Sequence, residues 1–474
     1  MFNFLRRKKA RKVLVIGLDC GEPSLLFDQW PDELPTFRAL MDGGACGLLA
    51  SAIPCITVPA WSSMLSGKDP GVLGIYGFRN RADYSYTNMT IATGAAVKEK
   101  RVWDYLGEAG KTSIVVGVPQ TYPVKPINGH LISSFLTPSL QKQYTHPNEL
   151  RYEIDRVLDG EPYDVDVRNF RTDDKETLLR QIYKMTAKRF KVLNYLIHEK
   201  PWDFFMFVEM GVDRIHHGFW RFHDPAHRLH QPGNPFEHAI RDYYRYLDRQ
   251  IATLLEAVDD NTIILVVSDH GAKRMDGGFC LNQWLHREGY LAFDDDLPNG
   301  QIVPFEQLSV NWDKTIAWGA GGYYGRLWLN VQGREPCGIV SPTAFESTRR
   351  EIIERLTRLV DHQGQPLPTV CYTPEAIYRE VRNIPSDLLI YFGDLHWRSV
   401  GSMGHRDIYT FENDTGPDDA NHAQNGLFIY YDPKQNLNGR QLTGLQLMDI
   451  APTILHLLNQ PIPNDIQGKI ISPN

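Results

Sequence analysis

The run Thr262-Ile263-Ile264-Leu265-Val266-Val267 ends abruptly in Ser268-Asp269-His270-Gly271. An apolar, largely β-branched run of this length reads as a strand buried on both faces. It delivers two strong metal ligands, Asp269 and His270, to its carboxyl end, where open α/β sheets collect their ligands. Adjacent residues on a regular strand face opposite ways, but at a strand-to-loop transition they converge, and Gly271 permits the turn.

Other segments end in the same manner. Asp19 closes the apolar run Val13–Leu18; it reads either as a metal ligand at a strand end or as a helix N-cap. Thr57 precedes Pro59, a residue suited to the first turn of a helix, and the expected helix spans Pro59 to Ser66. A hydroxyl there is either a cap or a group whose alkoxide, and a bound phosphate, are stabilised by the positive helix end. The run Phe204–Glu209 breaks at Gly211, and Asp213 and His217 follow four residues apart, on one face of a helix. His216 points elsewhere and reads as packing or surface, while His223, His227 and His230 lie on a loop without ligand-like order. His422 abuts the strand that starts near Gly426 and is preferred as a ligand over His405 for that reason.

Three Asp, three His and one hydroxyl therefore fall at inferred strand ends. Nitrogen and carboxylate donors in this mix suit Zn²⁺, with Mn²⁺ or Fe²⁺ as alternatives, whereas Ca²⁺ prefers more oxygen. Seven such groups match two adjacent ions, roughly 4 Å apart, that activate a nucleophile and stabilise a leaving oxygen.

The elements that must position these groups alternate. Strands are expected at Val13–Leu18, Ser113–Val118, Phe204–Glu209, Ile263–Ser268, Leu388–Phe392 and Gly426–Tyr430. Helices are expected at Pro35–Gly43, Pro59–Ser66, Val102–Glu108, Glu237–Val258, Pro342–Val360 and Leu447–Leu458. This predicts an α/β fold: a doubly wound, mostly parallel central sheet with helices on both faces. Two stretches, about 137–200 (with a long helix from Lys175 to His198) and about 291–340, break the alternation and read as cap insertions above the strand ends.

At 474 residues the chain has room for a large core with insertions, read as one domain over 13–474 after a basic leader at 1–12. Its 42% hydrophobic and 23% charged content is that of a soluble globular protein, and its net charge of −7 argues against a nucleic-acid-coating surface. No apolar run reaches the roughly 18 residues that cross a bilayer. The leader runs straight into Val13, unlike a secretory signal, and reads as a solvated segment capable of weak contact with an anionic membrane. The six cysteines show neither C-x-x-C nor zinc-finger spacing, so a reducing, cytoplasmic setting is expected.

At these residues the chain resembles the alkaline phosphatase superfamily, in its type I phosphodiesterase/nucleotide pyrophosphatase branch. The likeness runs through Asp19, Thr57-x-Pro59 with Ser66-Gly67 behind it, Asp213-x-x-x-His217, Ser268-Asp269-His270-Gly271, His422 and the closing Asp449–Leu458 segment. The resemblance implies one ion held by Asp213, His217 and His422, and another by Asp19, Asp269, His270 and the Thr57 oxygen. It further implies that Thr57 attacks phosphorus in line, giving a phospho-threonine intermediate that is then hydrolysed. Leu73 stands where the family often has a His that is not a ligand. Arg79, Arg81 and Arg214 read as surface or loop cations, so no phosphate-gripping Arg is evident, which favours diesters. The sulfatase pattern Cys-x-Pro-x-Arg is absent, and Cys55 reads as a buried small residue.

The leading expectation is a hydrolase acting on a phosphodiester or pyrophosphate of a small phosphorylated metabolite or nucleotide. A phosphomonoesterase or phosphomutase is the alternative on the same scaffold, and a catalytically silent binding protein is the alternative from another class. Gly17-x-x-x-Gly21 lacks the dinucleotide-binding spacing. Trp312, Trp318, Tyr323 and Tyr324 either stack on a base or sugar or fill the cap.

Overall fold

The computed structural model describes residues 11–295 and 300–473. Its main sheet has nine strands: β1 (Lys12–Leu18), β2 (Ala45–Ala50), β3 (Ser113–Val116), β4 (Gly129–Ile132), β5 (Thr145–His146), β6 (Phe204–Glu209), β7 (Thr262–Val267), β8 (Asn425–Tyr431) and β9 (Arg440–Gln446). They lie in the order β9-β2-β8-β7-β1-β6-β3-β4-β5. The five strands β7, β1, β6, β3 and β4 are mutually parallel. β8 runs antiparallel between β7 and β2, so β2 points the same way as β7.

Side-chain alternation builds two cores from the same strands. Leu14, Ile16, Phe205, Phe207, Ile264 and Val266 face one side; Val13, Val15, Phe204, Met206, Leu265 and Val267 face the other. Both faces are covered, as a parallel sheet of continuous apolar strands requires. Helices α1 (Pro35–Gly43), α4 (Lys175–Glu199), α5 (Gly211–His223) and α6 (Ala239–Leu255) pack on the first face. Helices α2 (Thr57–Ser66), α3 (Val102–Glu108) and α7 (Ile450–Leu457) pack on the second.

A second, seven-stranded sheet sits over the carboxyl ends of the first. Its strands are Gly277–Cys280, Ala317–Ala320, Gly325–Leu329, Thr369–Tyr372, Leu388–Phe392, Trp397–Val400 and Tyr409–Thr410, around a core of their own that includes Phe279, Trp318, Trp328 and Phe392.

The expected elements exist, with two corrections of place. Leu388–Phe392 belongs to the second sheet, not the central one: its partners are Gly325–Leu329 and Thr369–Tyr372. A fully buried apolar strand looks the same in sequence whichever sheet buries it. The stretch 137–200 is not simply a cap, because α4 buries Leu178, Ile182, Met185 and Leu193 in the core of the main sheet. The stretch 291–340 contributes Ala317–Ala320 and Gly325–Leu329 to the second sheet, whose other strands lie outside it.

Residues 1–10 of the basic leader, and the membrane contact expected of them, lie outside the described residues. Arg11 pairs with Asp432 and Lys12 already begins β1. Among the described residues no helix is long and apolar enough to cross a membrane. All six cysteines are free thiols.

Candidate active site and metal centre

Strands β7, β1 and β6 are neighbours, and their carboxyl ends carry Asp269-His270, Asp19 and the start of α5 respectively. Parallel pairing therefore forces the three deliveries to one edge. The chain leaving β2 at the same edge leads to Thr57. His422 arrives on the short strand Ala420–Ala423, which pairs antiparallel with Gly271–Arg274 just before β8. All seven residues singled out in the sequence are buried there.

Two groups that could each hold a metal ion result: Asp19, Asp269 and His270 form one, and Asp213, His217 and His422 form the other together with Cys20. Within each group the donor atoms lie within 4.8 Å of one another. Each imidazole offers Nε2, because its Nδ1 is already committed. His217 Nδ1 donates to Asp418 Oδ1 at 2.7 Å, His270 Nδ1 to the Gly271 carbonyl at 3.1 Å, and His422 Nδ1 to the Cys55 carbonyl at 3.0 Å. Such outer partners fix the tautomer and orientation of a metal-binding histidine.

The groups fit a cation on their own evidence. Asp19 Oδ1 and His422 Nε2 are buried and have no hydrogen-bond partner, a costly condition unless something else satisfies them. Burial, with Asp269 and Asp213 close by, pushes the Asp19 carboxyl well above the usual carboxylate range. Burial and the neighbouring His270 and His217 push His422 well below the usual imidazole range, leaving the neutral form that ligates. Burial alone would lower His217, but Asp418 and Asp213 outweigh it and lift His217 to about 9.

The backbone around the site explains its tight packing. Trp61 of α2 donates its indole N–H to Asp19 Oδ2 at 2.7 Å. It comes that close because Gly17 of β1 has no side chain: a Cβ there would lie 2.8 Å from the Trp61 ring. Ser268 accepts from the Gly21 N–H at 2.7 Å and donates to the His270 carbonyl at 2.5 Å, bracing the turn that brings Asp269 and His270 together.

Thr57 opens α2, two residues earlier than Pro59 suggested, and the N-cap is Ile56. The helix has no side-chain cap hydrogen bond, so the reading of Thr57 as a cap is excluded. Its hydroxyl instead lies 3.4 Å from His270 Nε2, at a helix end whose first N–H groups have no intrahelical acceptor. Asp19 likewise caps no helix: the next one, Leu25–Gln29, has Ser24 at its N-cap.

Two neighbouring arginines differ from expectation, and two histidines agree with it. Arg214 is no surface or loop cation; it is buried on α5, gripping Asp166 through two hydrogen bonds of 2.9 and 2.6 Å and pairing with Asp213. Arg81 is also buried and pairs with Glu335, because the second sheet folds over it. His216 donates from Nδ1 to the Cys20 carbonyl at 3.0 Å and stacks on Tyr244, so it is packing. His405 contacts Ser402 at 2.9 Å and belongs to neither ligand group.

Sequence reading missed Cys20, Asp418 and Arg171. Asp418 receives His217, the Tyr323 hydroxyl at 2.8 Å and Arg171 Nε at 3.0 Å. Tyr323 also stacks on His217 and lies against His422, with ring centroids 5.0 and 4.4 Å apart. Above the site, between the two sheets, opens a cavity of ≈ 970 Å³. Thr57, Asp213, His217 and His422 lie at its base, and Trp312, Trp318 and Trp328 line its walls.

The family model for type I phosphodiesterase/nucleotide pyrophosphatase matches residues 13–418. The chain belongs to that family. Membership places it among the phosphoester hydrolases of the alkaline phosphatase superfamily, whose members use two divalent metals. The fold agrees. Human ectonucleotide pyrophosphatase/phosphodiesterase 5 is 14% identical over 96% of this chain and 97% of its own, with a TM-score of 0.53. The murine protein of the same name, in an inactive form in complex with AMP, is 12% identical over the same shares, with a TM-score of 0.55. Phosphonoacetate hydrolase from Sinorhizobium meliloti 1021, in complex with phosphonoacetate, is 16% identical over 96% of this chain and 97% of its own, with a TM-score of 0.60. No curated protein matches the chain by sequence.

Proposed function

We propose that this family member cleaves a phosphodiester or pyrophosphate bond of a small metabolite or nucleotide, with Thr57 as the nucleophile and two divalent ions, Zn²⁺ foremost. The observation that carries this reading is the place of Thr57: a buried hydroxyl at the start of α2, at the base of the cavity and beside the Asp19 group. Asp213, His217 and His422 would hold one ion; Asp19, Asp269 and His270, with the Thr57 oxygen, would hold the other. When bound, the ions lower the pKa of the hydroxyl and neutralise charge on the phosphoryl oxygens.

The chain's own residues then account for the rest. Thr57 Oγ1 attacks phosphorus as the bond from phosphorus to the leaving oxygen breaks; the hydroxyl proton passes to solvent in the cavity, and the leaving oxygen takes up a proton from solvent as it departs. The positive end of α2 stabilises both the alkoxide and the phospho-threonine that forms. Water hydrolyses that ester and restores the hydroxyl.

Two features favour a diester over a monoester. Arg214 is spent on Asp166 and Asp213, and Arg171 on Asp418, so neither is free to neutralise a dianion. The cavity, moreover, is far larger than a phosphate, with room for a substituent against its aromatic walls.

The test is turnover of bis-p-nitrophenyl phosphate. Thr57→Ala should lower it by a factor on the order of 10³ or more while metal content stays near normal. Unchanged turnover removes Thr57 from the reaction. With a hydroxyl-bearing phosphate ester as substrate, formation of an isomerised ester without hydrolysis would point to a mutase instead.

A further inference from the structure

Cys20 follows Asp19 directly and is fully buried at the end of β1. Its Sγ, a carboxylate oxygen of Asp213 and ring nitrogens of His217 and His422 all lie within 4.8 Å of one another. Donor atoms that close can be drawn onto one ion by small side-chain adjustments, at bond lengths of roughly 2.0–2.3 Å. A second observation points to a ligand at this spot. His422 Nε2, in the same group and on a residue only 2% exposed, has no hydrogen-bond partner. The thiol itself makes one weak contact, to the Gly271 carbonyl at 3.4 Å.

The backbone fixes where the sulfur goes. Cys20 has φ 61°, in the left-handed region that a residue with a Cβ enters at a cost of about 1 kcal/mol or more. Its N–H donates to Asp269 Oδ1 at 3.1 Å and its carbonyl accepts from His216. Those two bonds hold the peptide on either side, and Cys20, itself part of the buried core, keeps its Sγ within 4.8 Å of the donor atoms of Asp213, His217 and His422.

We propose that Cys20 is a fourth protein ligand, as thiolate, of the ion held by Asp213, His217 and His422, with a fifth position left to substrate. This rests on the two-ion reading above. On binding, the sulfur-to-metal bond replaces the S–H bond and the proton leaves to solvent. A soft sulfur donor beside two imidazoles makes this site selective for Zn²⁺ or Co²⁺ over Mn²⁺ and Mg²⁺. The Asp19 group has no sulfur and discriminates less, so the two positions differ in metal preference.

Cobalt(II) titration of the metal-free full-length protein tests this by spectroscopy rather than activity. Wild type should develop a thiolate-to-cobalt charge-transfer band in the near ultraviolet, saturating with one of the two equivalents. Cys20→Gly, which suits φ 61°, and Cys20→Ser should bind cobalt without that band. In Zn²⁺/Mn²⁺ competition Cys20→Ser should lose more than about tenfold of the preference for zinc. Wild type that binds two cobalt ions without the band overturns the inference while leaving the two-ion reading intact, and needs no variant that folds. A band that persists in both variants overturns it as well. Wild type that binds no cobalt overturns the two-ion reading and the inference together.

Discussion

Asp418→Asn separates the orientation of His217 from its mere presence. The carboxylate is buried and takes three donors: His217 on Oδ1 at 2.7 Å, and Tyr323 and Arg171 on Oδ2 at 2.8 and 3.0 Å. Asparagine keeps the shape but replaces one oxygen with an NH₂ that can only donate. If its oxygen faces His217, the NH₂ confronts the Arg171 N–H. If it turns round, the NH₂ faces His217 Nδ1 and forces the tautomer with hydrogen on Nε2, the atom needed for a metal. Loss of such an outer partner weakens metal affinity about 10–100-fold, or about 1.4–2.7 kcal/mol. The assay is zinc competition against a chromophoric chelator, with urea unfolding of the metal-free protein run alongside. Arg171 is partly exposed and can regain water, so the metal-free protein should lose only about 1–2 kcal/mol. Zinc affinity within threefold of wild type would refute the role given to Asp418, whatever happens to stability.

Two further outcomes are expected. His422→Ala should lose one of two bound metals by elemental analysis, whereas His405→Ala should retain both; the reverse result would exchange the two histidines. His227 tests the pH response of the loop after α5. Its Nδ1 accepts from the Leu229 N–H at 3.1 Å and must be unprotonated to do so; burial and the adjacent Arg228 push it down to about 4. The unfolded chain protonates this imidazole near 6.5. Between about 6.5 and 4 the unfolded state thus binds the extra proton, and stability falls as pH drops through that window. After allowance for partial solvent access the loss is about 1–2 kcal/mol. His227→Gln should flatten the slope in urea unfolding between pH 7 and 5, and an unchanged slope would exclude this residue.

The fold was readable where strands are apolar on both faces. Val13–Leu18, Phe204–Glu209 and Thr262–Val267 have no polar face to present to water, so only a sandwiched, parallel environment suits them. That logic has no power to say which sheet buries a strand, and Leu388–Phe392 was accordingly misplaced. Long-range pairing decides its position, and pairing leaves no local trace. The amphipathic stripe on α4 was visible too, but the irregular segment before it disguised a core helix as a cap.

The candidate site divides along the same line. Asp19 and Asp269 were legible because ionisable groups ending apolar runs contradict the core unless something compensates them, and Asp213 because it shares a helix face with His217 four residues on. Asp418 ends no apolar run, and its meaning depends on His217 two hundred residues away, which only the folded chain supplies. Cys20 was invisible for the opposite reason: a cysteine is an ordinary core residue, and nothing in its neighbours marks it as a donor. What distinguishes it is three-dimensional, a left-handed backbone held by Asp269 and His216 with the sulfur within 4.8 Å of an unsatisfied imidazole nitrogen. Sequence reading therefore finds groups that are expensive to bury, whereas groups that are cheap to bury become ligands only through geometry. A site assembled from both kinds is under-counted from sequence alone, and the donor most apt to be missed is the sulfur that sets metal preference.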